Sequence, residues 1–573
     1  MQKGERLLSQ NRYKNFVKDR KNQTQYAKWL MRYTKPFLPS LAVLLFFSLL
    51  SQTLSLKMVT VNESIINRAT AGNTIKSGIL VYVLIMLVSN LLSIVASLVT
   101  VVICEKFSFG IRKQVYEKIL HTCWLDITKY HTGDLMTRLT SDTEAIANGI
   151  SATLPTIITL IYQLGASFIL LYIRAPFLAI SSLLIAPIAV LFSAILGRKL
   201  KKLQVKVQES EANYRSFIHE SLSNILIIKS FRDEQYSATH LTELRNERLH
   251  WILKKNNMSL ATSSVINVGF QLGYILAFSW GALQLSSGSI QFGTMTVFLS
   301  LVAQVQTPLI SLAQTLPKII SILASAGRVI EIQNLPAEQQ VEQTIDTTTV
   351  GVKVSNLSFG YQPNDQIFDD TSFDIKPGEF VAIVGESGIG KTTLIRLIMS
   401  FLQSTNGNIS FFNQNGEEET ATATSRSYIS YVPQGNTLFS GSIADNVRMG
   451  RRTATDEEII EALKASSAYD FVKDLPNGMY TVIGERGHGI SEGQAQRISL
   501  ARALVKKAPF LVLDEATASL DEKTELRVLD GIRQLQPKPT CILITHRRSV
   551  LQYCDREIKI DQKQVLPTDL GLM

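Results

Sequence analysis

The sequence predicts a two-part chain: an α-helical membrane domain of six transmembrane helices with long cytoplasmic extensions, followed by an α/β domain built around a P-loop. Three observations carry this reading. Long stretches before residue 318 contain no Asp, Glu, Lys or Arg; a strand-like run leads through "GESGIGKT" into an apolar helix; and a second strand-like run, "PFLVLD", ends beside another carboxylate. A length of 573 residues suits more than one domain, because domains run to roughly 150 residues. Only 18% of residues are charged and mean hydropathy is +0.13, whereas a soluble domain carries about 25% charge. This composition excludes disorder and a collagen-like chain.

A helix needs about 20 apolar residues to cross roughly 30 Å of hydrocarbon. Uncharged stretches run Pro36–Leu56 (21 residues), Ser77–Cys104 (28), Ala145–Ile173 (29) and Ala175–Gly197 (23). A further uncharged block, Asn256–Pro317, has 62 residues and is too long for one span. It divides at "SSGSIQFGT", Ser286–Thr294, whose glycines and serines suit a turn. The expected spans are therefore 36–56, 77–104, 145–173, 175–197, 256–285 and 295–317. No small-residue cleavage site follows the first, so it is expected to stay in the mature chain.

Charge sets the expected orientation. Lys plus Arg number 10 in residues 1–35, 6 in 105–144 and 12 in 198–255, against 3 in 57–76, 1 at Arg174 and none in 286–294. Basic loops stay in the cytoplasm. Both termini and the second domain are thus expected on the cytoplasmic side, and the net charge of +10 needs no nucleic acid to explain it. The loops after spans two and four read as helical extensions, the second with an apolar stripe at Leu203, Val207, Phe217, Ile218, Leu222, Ile225 and Leu226. Segment 22–35 interleaves Tyr26, Trp29, Leu30 and Tyr33 with Lys28, Arg32 and Lys35, a pattern that suits either an interfacial helix or a solvated tail. Cys104, Cys123, Cys541 and Cys554 are scattered, without zinc or disulfide spacing, and read as reduced thiols.

A Gln- and Thr-rich linker at 335–349 precedes the second domain, 350–573. In "VAIVGESGIGKTTLIRLIM" a strand precedes the glycine loop and a helix follows it, the context a P-loop requires. Gly385, Ser387, Gly388 and Gly390 bring backbone N–H groups toward phosphate, Lys391 adds charge, and the hydroxyl of Thr392, with Thr393 beside it, is placed for Mg2+. In "PFLVLDEATASLD", Asp514 is placed to hold Mg2+ through water and Glu515 to orient or deprotonate the attacking water. A third apolar strand, "TCILITH", ends in His546, near where a terminal phosphate would lie.

Together with "GISEGQAQRISLARAL", these residues make the second domain resemble the ATPase domain of ATP-binding cassette (ABC) transporters over about 220 residues. The resemblance implies ATP and Mg2+ as ligands. It implies adenine stacking on Tyr361 of "SFGY" and a magnesium-linked glutamine at Gln434 of "YVPQGNTLFSGSI". It further implies phosphate contacts from the signature residues Ser491, Gly493 and Gln494, signalling across a dimer at Asp521, and a switch histidine at His546. Glu492 departs from the pattern, standing where the family has glycine; retention of Ser491 and Gly493 favours a tolerated variant and an active ATPase. "WLDITKYHTGDLMTRLTSDTEAI" and "ESLSNILIIKSFRDEQ" are similar to the cytoplasmic loops of ABC exporters, and "TVIGERG", Thr481–Gly487, to the segment that meets the opposite chain's loops.

Six spans with one cassette imply a half-transporter, expected as a homodimer with a heterodimer left open. The implied setting is a bacterial inner (plasma) membrane and its lipid. The uncharged spans, with amides only at positions such as Asn90, Gln163, Asn267, Gln271, Gln304 and Gln306, suit a hydrophobic or amphiphilic cargo: a drug, lipid or small peptide. ATP-driven export is the expected function, with an importer of the same architecture or a non-transporting channel or sensor as alternatives.

Overall fold

The computed structural model describes residues 20–341, 345–346, 348–362, 365–484, 489–545, 547–561 and 564–568. The chain forms two compact units. One takes in the described chain up to Lys118 together with Thr132–Asn334; the other comprises Ile119–His131 and the described chain from Leu335 onward. The short loop 119–131, which sequence order places in the membrane domain, therefore packs with the second unit.

The first unit is helical. Its long elements are Leu38–Thr70, Lys76–Leu120, a run from Thr132 to Arg174 widened by π-turns at Arg138–Asp142 and Gly149–Thr153, then Pro176–Ser223, Glu234–Ser286 and Phe292–Gln333. Pro39, Pro155 and Pro176 sit in first turns, where the missing N–H costs nothing. Among the described residues, five helical runs are long and apolar enough to cross a membrane: Lys28–Thr70, Lys76–Leu120, Thr132–Arg174, Glu234–Ser286 and Phe292–Gln333. The remaining expected span, 175–197, lies in helix Pro176–Ser223, where the side chains of 185–198 fall outside the described residues.

Four helices have 42 to 53 residues, about 60–80 Å at ~1.5 Å per residue, so they outrun the hydrocarbon as the loop patterns suggested. The last continues through Pro308 and Pro317 to Gln333, past the expected span end at 317. Packing supports it there, since Ala326, Val329, Ile330 and Ile332 are buried. Leu171, Leu178, Phe298, Leu301 and Val305 form the core of this unit, while Leu80 and Leu98 on Lys76–Leu120 are 71% and 63% exposed, as a lipid-facing helix requires. Of the expected apolar stripe, Leu203, Val207, Phe217 and Ile218 are half-buried, but Leu222, Ile225 and Leu226 are exposed.

Arg20–Thr34 forms a helix whose Trp29 Nε1 donates to Gln333 Oε1 at 2.9 Å and whose Tyr33 hydroxyl donates to Gln114 Oε1 at 2.6 Å. Lys28, Arg32 and Lys35 stay exposed.

The second unit contains two main sheets and a two-stranded pair, β7 (Gly441–Ser442) with β8 (Val482–Ile483). The first is antiparallel, order β2-β1-β4-β5, from β1 (Val350–Gln362), β2 (Asp365–Ile375), β4 (Asn406–Asn413) and β5 (Glu418–Thr420). The second, order β12-β11-β3-β10-β9-β6, uses β3 (Phe380–Val384), β6 (Ile429–Val432), β9 (Phe510–Asp514), β10 (Thr540–Ile544), β11 (Arg556–Asp561) and β12 (Gln564–Thr568). It is parallel except for the β11–β12 edge. Its inner strands are mostly apolar because helices cover both faces of such a sheet; every residue of β9 and β10 is buried, Asp514 and Thr540 included. Cys541 and Cys554 are buried, and Cys104 and Cys123 are half-buried.

The candidate nucleotide site

Parallel strands present their ligand-binding residues at their carboxyl ends. β3 ends at Val384, and the chain turns through Gly385, Gly388 and Gly390 with φ of 158°, 82° and 118° before helix Lys391–Ile398 begins. At Gly390 a Cβ would lie 2.6 Å from Ile367 Cγ2, so both backbone angle and space demand glycine. Ser387 is exposed on this loop, while Lys391 is 7% exposed and its ammonium donates to the Gly385 and Glu386 carbonyls at 2.8 and 2.9 Å. Burial pulls its pKa below the ordinary lysine value, opposed by Glu515 and Asp514.

β9 lies two strands from β3, with β10 between them, and brings its carboxylates to the same edge. Asp514 is 1% exposed; Thr392 Oγ1 donates to its Oδ1 at 3.5 Å and the Tyr431 hydroxyl to its Oδ2 at 3.3 Å. Burial pushes this carboxyl up, and neighbouring Glu515 adds to the shift, against the two hydroxyl donors. Glu515 has φ of 50°, a left-handed conformation that a non-glycine residue holds only at a cost. Gln434 Nε2 donates to Glu515 Oε2 at 2.6 Å.

Tyr361 stands next to last in β1, 41% exposed, with its hydroxyl 3.4 Å from Thr393 Oγ1 and accepting from Arg396 Nη1 at 3.5 Å. Lys391, Thr392, Thr393, Asp514, Glu515, Gln434 and Tyr361 are thereby linked around one sheet edge. His546 lies outside the described residues, as do residues 485–487 of the 481–487 segment.

The signature residues form a separate cluster. Ser491 caps helix Glu492–Val505: its Oγ accepts from Gln494 N at 3.2 Å, and Gln494 Oε1 accepts from Ser491 N at 2.8 Å. A Cβ at Gly493 would stand 2.9 Å from the Ser519 carbonyl. Glu492 is exposed in the first helical turn, where a carboxylate complements the helix dipole. Asp521 caps Glu522–Arg533 by accepting from Thr524 N at 3.0 Å, and hydrogen bonding to Thr524 lowers its pKa.

Sequence reasoning passed over Tyr431, Arg396, Gln496 and Arg547. Gln496 Oε1 accepts from Ser519 N at 3.1 Å; Arg547 donates to the Leu520 and Ala518 carbonyls at 2.8 and 2.7 Å, fixing the turn after Glu515. No linear motif signals these contacts, which depend on strand register.

The pattern described as ABC transporter transmembrane region matches residues 41–309, and that described as ABC transporter matches 368–518. An ATP-dependent lipid A-core flippase of Syntrophus aciditrophicus is 29% identical over 490 residues, covering 85% of this chain and 81% of that protein. A protein of Staphylococcus aureus named for multidrug export, an ATP-binding/permease protein, is 30% identical over 474 residues and 81% of each chain. A bacterial Atm1-family ABC exporter, solved with ATP bound, has the same fold, with a TM-score of 0.79 at 23% identity over 92% of this chain and 94% of that one. The chain belongs to the ABC transporter family, as an exporter-type half-transporter whose second unit is an ATP hydrolase coupled to transport.

Proposed function

We propose that two copies of this chain form a homodimeric exporter that uses Mg–ATP to move an amphiphilic or hydrophobic compound, a drug, lipid or small peptide, out across a bacterial inner membrane. The observation that carries the reading is the linked set Lys391, Thr392–Asp514 and Gln434–Glu515 at one sheet edge, with the signature cluster separate on the same chain. Such a chain supplies two half-sites. Each ATP lies between the P-loop of one subunit and Ser491 and Gly493 of the other.

The donors fit magnesium. Thr392 Oγ1 and Asp514 Oδ1, 3.5 Å apart, are the hard oxygens that such an ion takes beside phosphate, and Gln434 adds an amide. When bound, the ion neutralises charge on the phosphates. The chain's own residues do the rest: Tyr361 stacks the base, the loop from Gly385 to Thr393 holds the phosphates, and Glu515 takes the proton from the attacking water. Closing the cassettes on ATP favours the outward-open state only to the extent that ATP binds the closed form more tightly.

The cargo class rests on spans without formal charge and on relatives named for lipid A flipping and multidrug export. The test is reconstitution in lipid, with ATPase activity screened against drugs, lipids and peptides and accumulation followed in inside-out vesicles. Stimulated turnover with ATP-dependent accumulation inside such vesicles is the expected result. Accumulation in the opposite sense, or turnover indifferent to every cargo, overturns it.

A further inference from the structure

Loop 119–131 is bound to the second unit at both backbone and side-chain level. Thr122 forms a β-bridge with Ala337, Cys123 N donates to the Pro336 carbonyl at 3.1 Å, and Glu338 N donates to the His121 carbonyl at 2.9 Å. The loop's Trp124 then packs on the core of the second unit. Its ring lies beneath the Arg396 guanidinium, 4.8 Å from the ring centroid, within cation–π range. Trp124 also meets Phe401 at 6.2 Å between centroids. The Arg426 guanidinium sits 4.2 Å over that phenylalanine and closes a bidentate pair with Glu338 at 2.8 and 2.9 Å.

Arg396 has a second contact. Its Nη1 reaches the Tyr361 hydroxyl at 3.5 Å, and that hydroxyl lies 3.4 Å from Thr393 in the same short helix as Lys391. One guanidinium thus touches both the tyrosine proposed to carry the base and the tryptophan of the loop. Arginine suits this junction because its planar cation stacks on a ring face while its edge N–H groups still donate; a lysine ammonium makes one contact well but not both.

We propose that Arg396 is a positioning residue that ties Tyr361 to Trp124, so that loop 119–131 senses whether a purine base, and not only a triphosphate, occupies the cassette. The proposal rests on the assignment of Tyr361 as the base platform. Stacking of a base on the tyrosine face fixes the ring and its hydroxyl, which fixes the guanidinium, which sets the environment of the indole. Phosphate alone leaves the ring face of Tyr361 empty and reaches this contact only by way of the Thr393 hydroxyl, 3.4 Å from the Tyr361 oxygen, so it does not fix the ring as a stacked base does.

The test uses the full chain in lipid and the emission of its tryptophans. Mg–ATP is expected to shift the emission, Mg–tripolyphosphate is not, and Trp124→Phe abolishes the ATP-dependent part. Arg396→Gln is expected to abolish the same shift and to raise the ATP concentration for half-saturation about three- to tenfold, with tripolyphosphate inhibition unchanged. Arg396→Lys recovers part of both. Equal shifts with ATP and tripolyphosphate, or an undiminished shift in Arg396→Gln, overturn the proposal. Tyr361→Ala separates the two readings: loss of ATP affinity relative to tripolyphosphate upholds the base platform, so that a surviving shift in Arg396→Gln then sinks the relay alone. No such loss sinks the platform, and the relay with it.

Discussion

Gln434 Nε2 donates to Glu515 Oε2 at 2.6 Å, joining a loop after β6 to the residue that follows β9. The bond holds the carboxylate as an acceptor, the state a general base needs before it takes a proton from water. Glu515→Gln keeps the size of the side chain but not its basicity. ATP turnover should fall about a hundred- to ten-thousandfold while ATP binding persists. Single-turnover hydrolysis and nucleotide retention measure the two effects, and undiminished turnover removes Glu515 as the base.

Asp514 makes a pH prediction with a definite sign. Burial raises its carboxyl above the ordinary value of 3.8. A raised folded value means that its contribution to stability is fully present below 3.8 and is lost as pH rises through the folded value. Once ionised, Asp514 therefore costs stability in the nucleotide-free protein. Asp514→Asn should raise its thermal midpoint at pH 7 and flatten the fall of stability that sets in as pH rises above 3.8. It should also remove the stabilisation added by Mg–ATP, because the metal needs the carboxylate. A lower midpoint in the variant, measured without nucleotide, contradicts the sign.

The P-loop and the paired carboxylates were legible because each is a contiguous run whose strand and helix context shows in the sequence. Five of the six expected spans fall within helical runs long and apolar enough to cross a membrane, since uncharged stretches are local. The last helix runs on beyond the uncharged stretch through Pro317 to Gln333, where Ala326, Val329 and Ile332 are buried, so packing sustains it past the proline. Tyr431 and Arg396 were missed because their contacts are set by tertiary register: Tyr431 aligns with Val512 across β6 and β9, and Arg396 meets a tryptophan some 270 positions away in sequence. Leu222 and Leu226 show the converse, an apolar pattern that reads as core yet is 64% and 76% exposed in this chain.

Glu63 and Arg174 form an ion pair of 2.5 Å, and Glu63 also accepts from Thr294 Oγ1 at 2.8 Å. Next to it, Asn67 Oδ1 accepts from Gly293 N at 2.8 Å. These bonds draw together the ends of helices Leu38–Thr70, Leu154–Arg174 and Phe292–Gln333. A double-mutant cycle with Glu63→Gln and Arg174→Gln should give a coupling of about 1–2 kcal/mol, more than a fully solvated pair, because the side chains are 17% and 29% exposed. Thermal unfolding in detergent or nanodiscs measures it, and strict additivity of the single variants refutes the coupling.

Glu492 decides whether the altered signature costs activity. Its side chain is exposed at the first turn of Glu492–Val505, while the capping pair Ser491–Gln494 and the tight approach of Gly493 to Ser519 are intact without it. A carboxylate there favours the helix by about 0.3–1 kcal/mol through the dipole, whereas glycine loses that and adds chain entropy. Glu492→Gly should therefore lower stability slightly and leave ATP turnover within about twofold, the range of ordinary surface changes. Ser491→Ala removes the cap and the proposed phosphate contact together, so it should reduce turnover at least about tenfold. If Glu492→Gly instead raises turnover tenfold, the carboxylate is repelling phosphate across the dimer interface. The site would then be a weakened one, better suited to pairing with a different partner chain.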